Sequence, residues 1–181
     1  MIYVFLAEGF EEVEAVTPID LLRRAELPVV TVGVTGKVVT GSHGIPITAD
    51  ITVDKVDMNA DVQMLVLPGG LPGTLNLEQS GSVKTCIQKA MAQEVYIAAI
   101  CATPSILGHM GLLEGRRATC YMGFEDELAG AQATGEAVVE DGRFITARGA
   151  GVALPFGLKL VEVLCGSVRA MALKESLLCE E

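Results

Sequence analysis

A cysteine placed where an apolar run gives way to a helix can serve as a nucleophile, and Cys101 has that setting in Ala98-Ala99-Ile100-Cys101-Ala102-Thr103-Pro104. A sharp strand-to-helix turn lifts the reactive atom above the end of a sheet, as the nucleophile elbow does for serine. Small neighbours suit such a turn because backbones crowd there. The free N–H groups and positive end of the following helix are expected to lower the thiol pKa toward thiolate. The N–H of Ala102 would then bind a developing oxyanion. Taken alone, the segment equally fits the buried, inert state common among free cysteines.

Two further segments carry residues suited to the same chemistry. Pro68-Gly69-Gly70-Leu71-Pro72-Gly73 follows an apolar run. Its glycines permit close approach and left-handed dihedrals, and the Gly70 N–H is a second candidate oxyanion donor; an ordinary tight turn has the same composition. Glu11, Glu12 and Glu14 sit at the start of a helical pattern, where carboxylates favour the positive dipole end. Glu11 and Glu12 read as a solvated helix start. Glu14 is the one expected to point inward over the sheet, where burial would raise its pKa and let it donate a hydrogen bond to a thiolate. His43 falls in a hairpin loop and His109 near a helix end, and both read as surface residues. No Cys-His-Asp triad, G-x-G-x-x-G or Walker pattern is visible.

These segments need a scaffold of alternating strands and helices. Ile2–Leu6, Leu27–Val34, Val62–Leu67 and Val95–Ile100 read as buried strands. Val38–Thr40 with Ile45–Thr48, and Ala137–Glu140 with Phe144–Arg148, read as hairpins, the second around Asp141-Gly142. A strand is expected at Ala118–Tyr121 and a short helix at Phe124–Ala129. Helices are expected at Glu11–Ala25, with Val13, Val16, Ile19 and Leu22 on the apolar face and a kink or start near Pro18. Others are expected at Ser82–Gln93, Ala102–Met110, Val152–Cys165 and Val168–Leu178. The alternation predicts an α/β fold, a mostly parallel sheet with helices on both faces, formed by residues 1–181 as one domain. Ligands in such folds bind beyond the carboxyl ends of the strands, where the three segments lie.

Composition narrows the function. The 181 residues are 50% hydrophobic and 4% aromatic, with no Trp, so aliphatic side chains must fill the core. Thirteen basic residues against 23 acidic ones leave a net charge of −10, which opposes nucleic-acid binding and an anionic membrane surface. No apolar run reaches the roughly 18–20 residues of a membrane helix. The N-terminus lacks a signal-peptide pattern, and five irregularly spaced cysteines suggest neither a disulfide framework nor a zinc site. The cytoplasm is the expected location.

The segments together resemble the ThiJ/PfpI superfamily, and within it the Parkinson-associated protein deglycase and glyoxalase III-like branch. The resemblance rests on Leu6-Ala7-Glu8-Gly9-Phe10-Glu11-Glu12-Val13-Glu14 with Pro18-Ile19-Asp20, on Val66-Leu67-Pro68-Gly69-Gly70, on Ala98-Ala99-Ile100-Cys101-Ala102, and on Thr146-Ala147-Arg148-Gly149-Ala150-Gly151. It implies a flavodoxin-like three-layer sandwich of the class I glutamine amidotransferase type, usually a homodimer and without a cofactor or metal. It also implies that Cys101 is an easily oxidised nucleophile, that Glu14 is a protonated carboxyl touching its sulfur, and that the N–H groups of Gly70 and Ala102 line the oxyanion site. Arg24 matches a family arginine near the site and dimer interface; its usual partner arginine is replaced here by His43. Tyr121 stands where many members have histidine. With a reference pKa of about 10, tyrosine is a poor base near neutrality, so Glu14 would carry the proton traffic.

The function expected from this resemblance is cysteine-dependent detoxification of small reactive dicarbonyls such as methylglyoxal, or of their early adducts on proteins. The alternative is a redox-sensing stress protein or chaperone with an oxidisable Cys101. A cysteine peptidase or thiamine-pathway role ranks last, since the segments contain neither a triad nor a phosphate motif.

Overall fold

The computed structural model describes residues 1–179; the last two positions of the 1–181 domain expectation, Glu180 and Glu181, lie outside the described residues. The strands are β1 (Ile2–Leu6), β2 (Val29–Gly33), β3 (Val38–Thr40), β4 (Pro46–Thr48), β5 (Ile51–Thr52), β6 (Met64–Leu67), β7 (Tyr96–Ile100), β8 (Arg117–Ala118), β9 (Gln132–Ala133), β10 (Val138–Asp141) and β11 (Phe144–Ala147). The α-helices are α1 (Glu12–Arg24), α2 (Gly73–Gln79), α3 (Gly81–Ala92), α4 (Pro104–His109), α5 (Ala153–Cys165) and α6 (Ser167–Ser176). Seven strands form the main sheet in the order β10-β11-β7-β6-β1-β2-β5. All its pairings are parallel except β10 with β11.

The apolar runs are continuous because the sheet is covered twice. Side chains alternate along a strand, so Ile2, Val4 and Leu6 of β1 join a core with α1, α5 and α6. Tyr3 and Phe5 join the opposite core, with Leu77, Ile87 and Ile106 of α2, α3 and α4. From β1 the chain builds β2 on one side and later β6 on the other. This reversal splays the turns after β1 and β6 apart and leaves a crevice at the strand ends.

Both expected hairpins form, and the long strands and helices fall where the periodicity predicts. Several details differ. Pro18 lies inside α1, which runs as one helix through it; the packing of α5 holds it there, since a Cβ on Gly157 would come within 3.2 Å of the Pro18 Cα. Val13 and Val16 are not on the buried face of α1 but half exposed, at 49% and 47%. Ala15, Ile19 and Leu22, with Glu12 and Glu14, face inward instead. The strand expected at Ala118–Tyr121 shrinks to β8, and the helix at Phe124–Ala129 to a 3-10 turn at Glu125–Glu127. The sequence reading missed α2, which starts without a side-chain cap, and the two-residue strands β5 and β9.

Candidate active site

The turns after β1, β6 and β7 converge on Cys101. The sulfur-bearing residue takes a left-handed φ of +67°, a conformation that costs a non-glycine residue of order 1–3 kcal/mol and persists only where its surroundings enforce it. Its N–H donates to the Ala147 carbonyl of β11 at 2.9 Å, and its carbonyl accepts from the Tyr121 N–H at 2.8 Å. Thr103, fully buried, completes the clamp. Its hydroxyl accepts the Ile100 N–H at 3.0 Å and lies 2.7 Å from the Leu67 carbonyl, tying the ends of β6 and β7 together. Spacing gave no sign of this role, because a threonine ahead of a proline reads as an ordinary helix start.

Glu14 is brought to the sulfur as expected. It is fully buried; its Oε2 accepts the Gly69 N–H at 2.9 Å, while its buried Oε1 has no hydrogen-bond partner. The carboxyl lies beside the Cys101 side chain and acts on its thiol, as do the N–H groups of Gly70 and Ala102. Gly69 is where a side chain has no room: a Cβ there would lie 2.6 Å from both the Cys101 Cβ and the Glu14 Oε2. Gly70 adopts φ +91° against the backbone of Gly9–Glu11, and the Glu11 N–H donates to the Gly69 carbonyl at 2.9 Å.

The electrostatics differ from the expectation in one respect. Burial pushes the Glu14 carboxyl up to about 7. Burial, and then the Glu14 charge, push the Cys101 thiol up to about 12, against the pull of the Gly70 and Ala102 N–H groups. A helix end does not outweigh these effects, in part because α4 spans only Pro104–His109. The pair therefore holds a proton through neutrality. An ionised Glu14 keeps the proton on sulfur; a protonated Glu14 removes the repulsion and donates to the sulfur instead.

A cleft of about 490 Å³ opens over Cys101, with Glu11, His43, Tyr121, Phe124 and Ala150 among its lining. His43 and Tyr121 thus reach the cleft. Arg24 does not: it sits at the far end of α1, pairs with Asp20 at 2.7 Å and is absent from the lining. It lies ten positions along the helix from Glu14, about 15 Å at 1.5 Å per residue.

Two acidic and basic residues have closer roles than their spacing suggested. Glu12 is buried, not solvated, and braces the β3–β4 loop by accepting the N–H groups of His43 and Ile45 at 2.8 and 3.3 Å. Burial opposes its ionisation, but these bonds, one from its own N–H and one from the His43 ring hold the carboxyl below the usual range. The ring is itself raised by Glu12 and then by the charge of Glu11. Glu11, Glu12 and His43 cluster closely enough to offer one ligand atom each to a cation, but hydrogen bonds among them already satisfy the group. His109 is not a free surface residue either. Its two ring nitrogens lie 2.6 Å from Glu78 and 2.7 Å from Glu127, and bonds to Glu127 and Glu78 raise its pKa.

A strained cysteine at the end of a parallel strand, with the N–H groups of Gly70 and Ala102 acting on its thiol and a buried carboxyl beside it, defines a cysteine-elbow α/β protein. The chain belongs to the DJ-1/PfpI family, whose model matches residues 1–163. It is 34% identical over 182 residues to the Parkinson disease protein 7 homolog of Danio rerio, covering 98% of this chain and 96% of that one. It is 32% identical over 148 residues to the deglycase PfpI of Pyrococcus furiosus, covering 80% and 87%. Protein DJ-1 homolog B of Arabidopsis thaliana is 37% identical over 169 residues, 92% of this chain but 38% of that longer protein. The structure of oxidized Toxoplasma gondii DJ-1 superposes with a TM-score of 0.93 at 34% identity, covering 98% of this chain and 97% of that one. The mostly parallel sheet with helices on both faces is thus the flavodoxin-like α/β fold. Among the described residues, no helix is long and apolar enough to cross a membrane.

Proposed function

We propose that this protein converts small dicarbonyls such as methylglyoxal to 2-hydroxy acids, with Cys101 as nucleophile and Glu14 as the proton carrier. The observation that carries this reading is the fully buried Glu14 carboxyl, held by the Gly69 N–H at Oε2 and packed beside the Cys101 side chain across Gly69. The thiol adds to the aldehyde carbon, and its proton ends on the new hydroxyl, forming a hemithioacetal. Glu14 then takes the proton from that carbon and returns it to the neighbouring one, while the hydroxyl proton passes to the former ketone oxygen, giving a thioester of the 2-hydroxy acid. Water cleaves the thioester, releasing lactate from methylglyoxal and restoring the thiol. Gly70 and Ala102 donate to the oxygen that gains charge. Tyr121 lines the same cleft in place of a stronger base. Purified protein should form lactate from methylglyoxal, followed by NMR, and Cys101→Ser should not; an inactive wild type or a fully active variant would refute the reading.

A second reading shares the same sulfur. Oxidation to a sulfinate would place an oxygen beside the carboxyl of Glu14, whose Oε1 has no hydrogen-bond partner. Cys101 would then modify ahead of Cys86, Cys120, Cys165 and Cys179, and equal modification of all five, read by mass spectrometry after mild peroxide treatment, would refute the idea. The working form is proposed to be a homodimer, because half-exposed Val13 and Val16 on α1 offer an apolar contact. Sedimentation equilibrium should give twice the 19.0 kDa chain mass; a monomer at micromolar concentration would exclude it.

A further inference from the structure

Beside the Cys101 cleft lies a second cavity of about 580 Å³. Tyr121 and Ala150 line both, and the Tyr121 ring packs against Gly149, where a Cβ would come within 3.3 Å of it. The second cavity is lined by Arg148. This arginine is exposed and differs from the others. Arg23, Arg24, Arg116 and Arg117 pair with Asp50, Asp20, Asp141 and Glu136. Arg143 covers the Tyr96 ring, and Arg169 donates to the Arg24 carbonyl. Among the described residues, Arg148 has no such partner.

In a chain of net charge −10, a cation left unpaired in a cavity adjoining the Cys101 cleft is suited to a ligand's charge. Glu125 also lines the cavity, but its carboxylate turns to the Gly123 N–H at 2.7 Å and forms no ion pair with Arg148. The chain runs from Arg148 into the start of α5, whose first turn carries no acidic side chain, so the helix end reinforces the attraction for an anion. Met122 and Val152 supply apolar wall.

We propose that Arg148 is a specificity-determining residue that binds the carboxylate of an elongated dicarbonyl whose aldehyde reacts at Cys101. The preferred substrate class is then the α-ketoaldehyde bearing a carboxylate a few carbons from the reacting end, and methylglyoxal is a truncated member. This rests on the reaction proposed above and uses the same steps: 4,5-dioxopentanoate plus water would give 2-hydroxyglutarate, with no outside oxidant or reductant. A charge-assisted, bidentate guanidinium–carboxylate contact is worth about 10–100-fold in recognition.

The test compares 4,5-dioxopentanoate with its methyl ester. Wild type should favour the acid at least tenfold in kcat/KM. Arg148→Ala should erase that preference through KM, leaving methylglyoxal and ester turnover within about twofold, and Arg148→Lys should restore part of it. An acid-to-ester ratio that is flat in wild type, or unchanged in Arg148→Ala, overturns the proposal. A binding measurement separates it from the catalytic reading. NMR titration of Cys101→Ser with 4-oxopentanoate, which lacks the aldehyde, should show saturable shifts lost in Cys101→Ser/Arg148→Ala. Binding that depends on Arg148 without turnover of any aldehyde would sink the dicarbonyl chemistry and leave the carboxylate site standing; no Arg148-dependent shift would sink the site.

Discussion

Replacing Glu14 with Gln should lower lactate formation from methylglyoxal by about 10²–10⁴-fold, the usual worth of a positioned proton-transfer group. The fold should survive, because the Gln carbonyl oxygen can still accept the Gly69 N–H that Oε2 accepts in the native chain. What is lost is the exchangeable proton beside Cys101. Stability should move the other way. Burial raises the Glu14 carboxyl from 4.5 to about 7, so the native state holds its proton more tightly than the unfolded chain does. That contribution is complete below pH 4.5 and disappears as pH rises through 7. Wild type should therefore lose on the order of 3 kcal/mol relative to Glu14→Gln between acid pH and pH 8, since each tenfold gain in proton affinity is worth about 1.4 kcal/mol. Urea unfolding at pH 5 and pH 8 measures this. A stability difference independent of pH would mean that Glu14 ionises freely, and an active Glu14→Gln would mean that another group moves the proton.

Gly69→Ala should be nearly as damaging, although the residue bears no reactive atom. Its Cβ would fall 2.6 Å from the Cys101 Cβ, 2.6 Å from the Glu14 Oε2 and 2.8 Å from the Ile100 carbonyl oxygen. Both reacting groups must move, and the carbonyl belongs to a buried strand that yields little. Overpacking of this kind costs about 1–3 kcal/mol, and a displacement of about 1 Å at the reacting atoms costs on the order of 10²-fold in rate. Gly81→Ala is the control, since a Cβ there meets nothing within 4 Å. Thermal unfolding and lactate production should drop in Gly69→Ala and hold in Gly81→Ala. Equal behaviour of the two would show that the contact at Gly69 is slack.

Much of this site was legible from local pattern. The apolar runs ending at Leu67 and Ile100 marked buried parallel strands, and the glycine pair and cysteine that follow them mark the turns where such folds bind ligands. Glu14 was the harder inference. The apolar stripe through Val13 and Val16 pointed to the wrong face of α1, and both side chains are exposed while Glu12 and Glu14 are buried. Periodicity locates a helix more securely than its rotation, because the rotation depends on what the neighbouring elements supply. Glu12 was misread for that reason: the N–H groups it accepts lie on a hairpin some 30 residues away. Thr103 and the Glu78–His109–Glu127 cluster likewise join segments that no short-range spacing connects.

The amino-acid sequence alone determined the alternation of strands and helices, the double-sided burial of the sheet and the candidacy of Cys101, since each follows from the order of side chains along a few residues. Only the tertiary structure decided that Cys101 lies against a buried carboxyl, that Arg24 is remote from it and that Arg148 lines the adjoining cavity with no ion pair among the described residues. Those outcomes come from separate turns meeting at one edge of a sheet. Desolvation and charge pairing there depend on through-space distance, which the chain order does not encode.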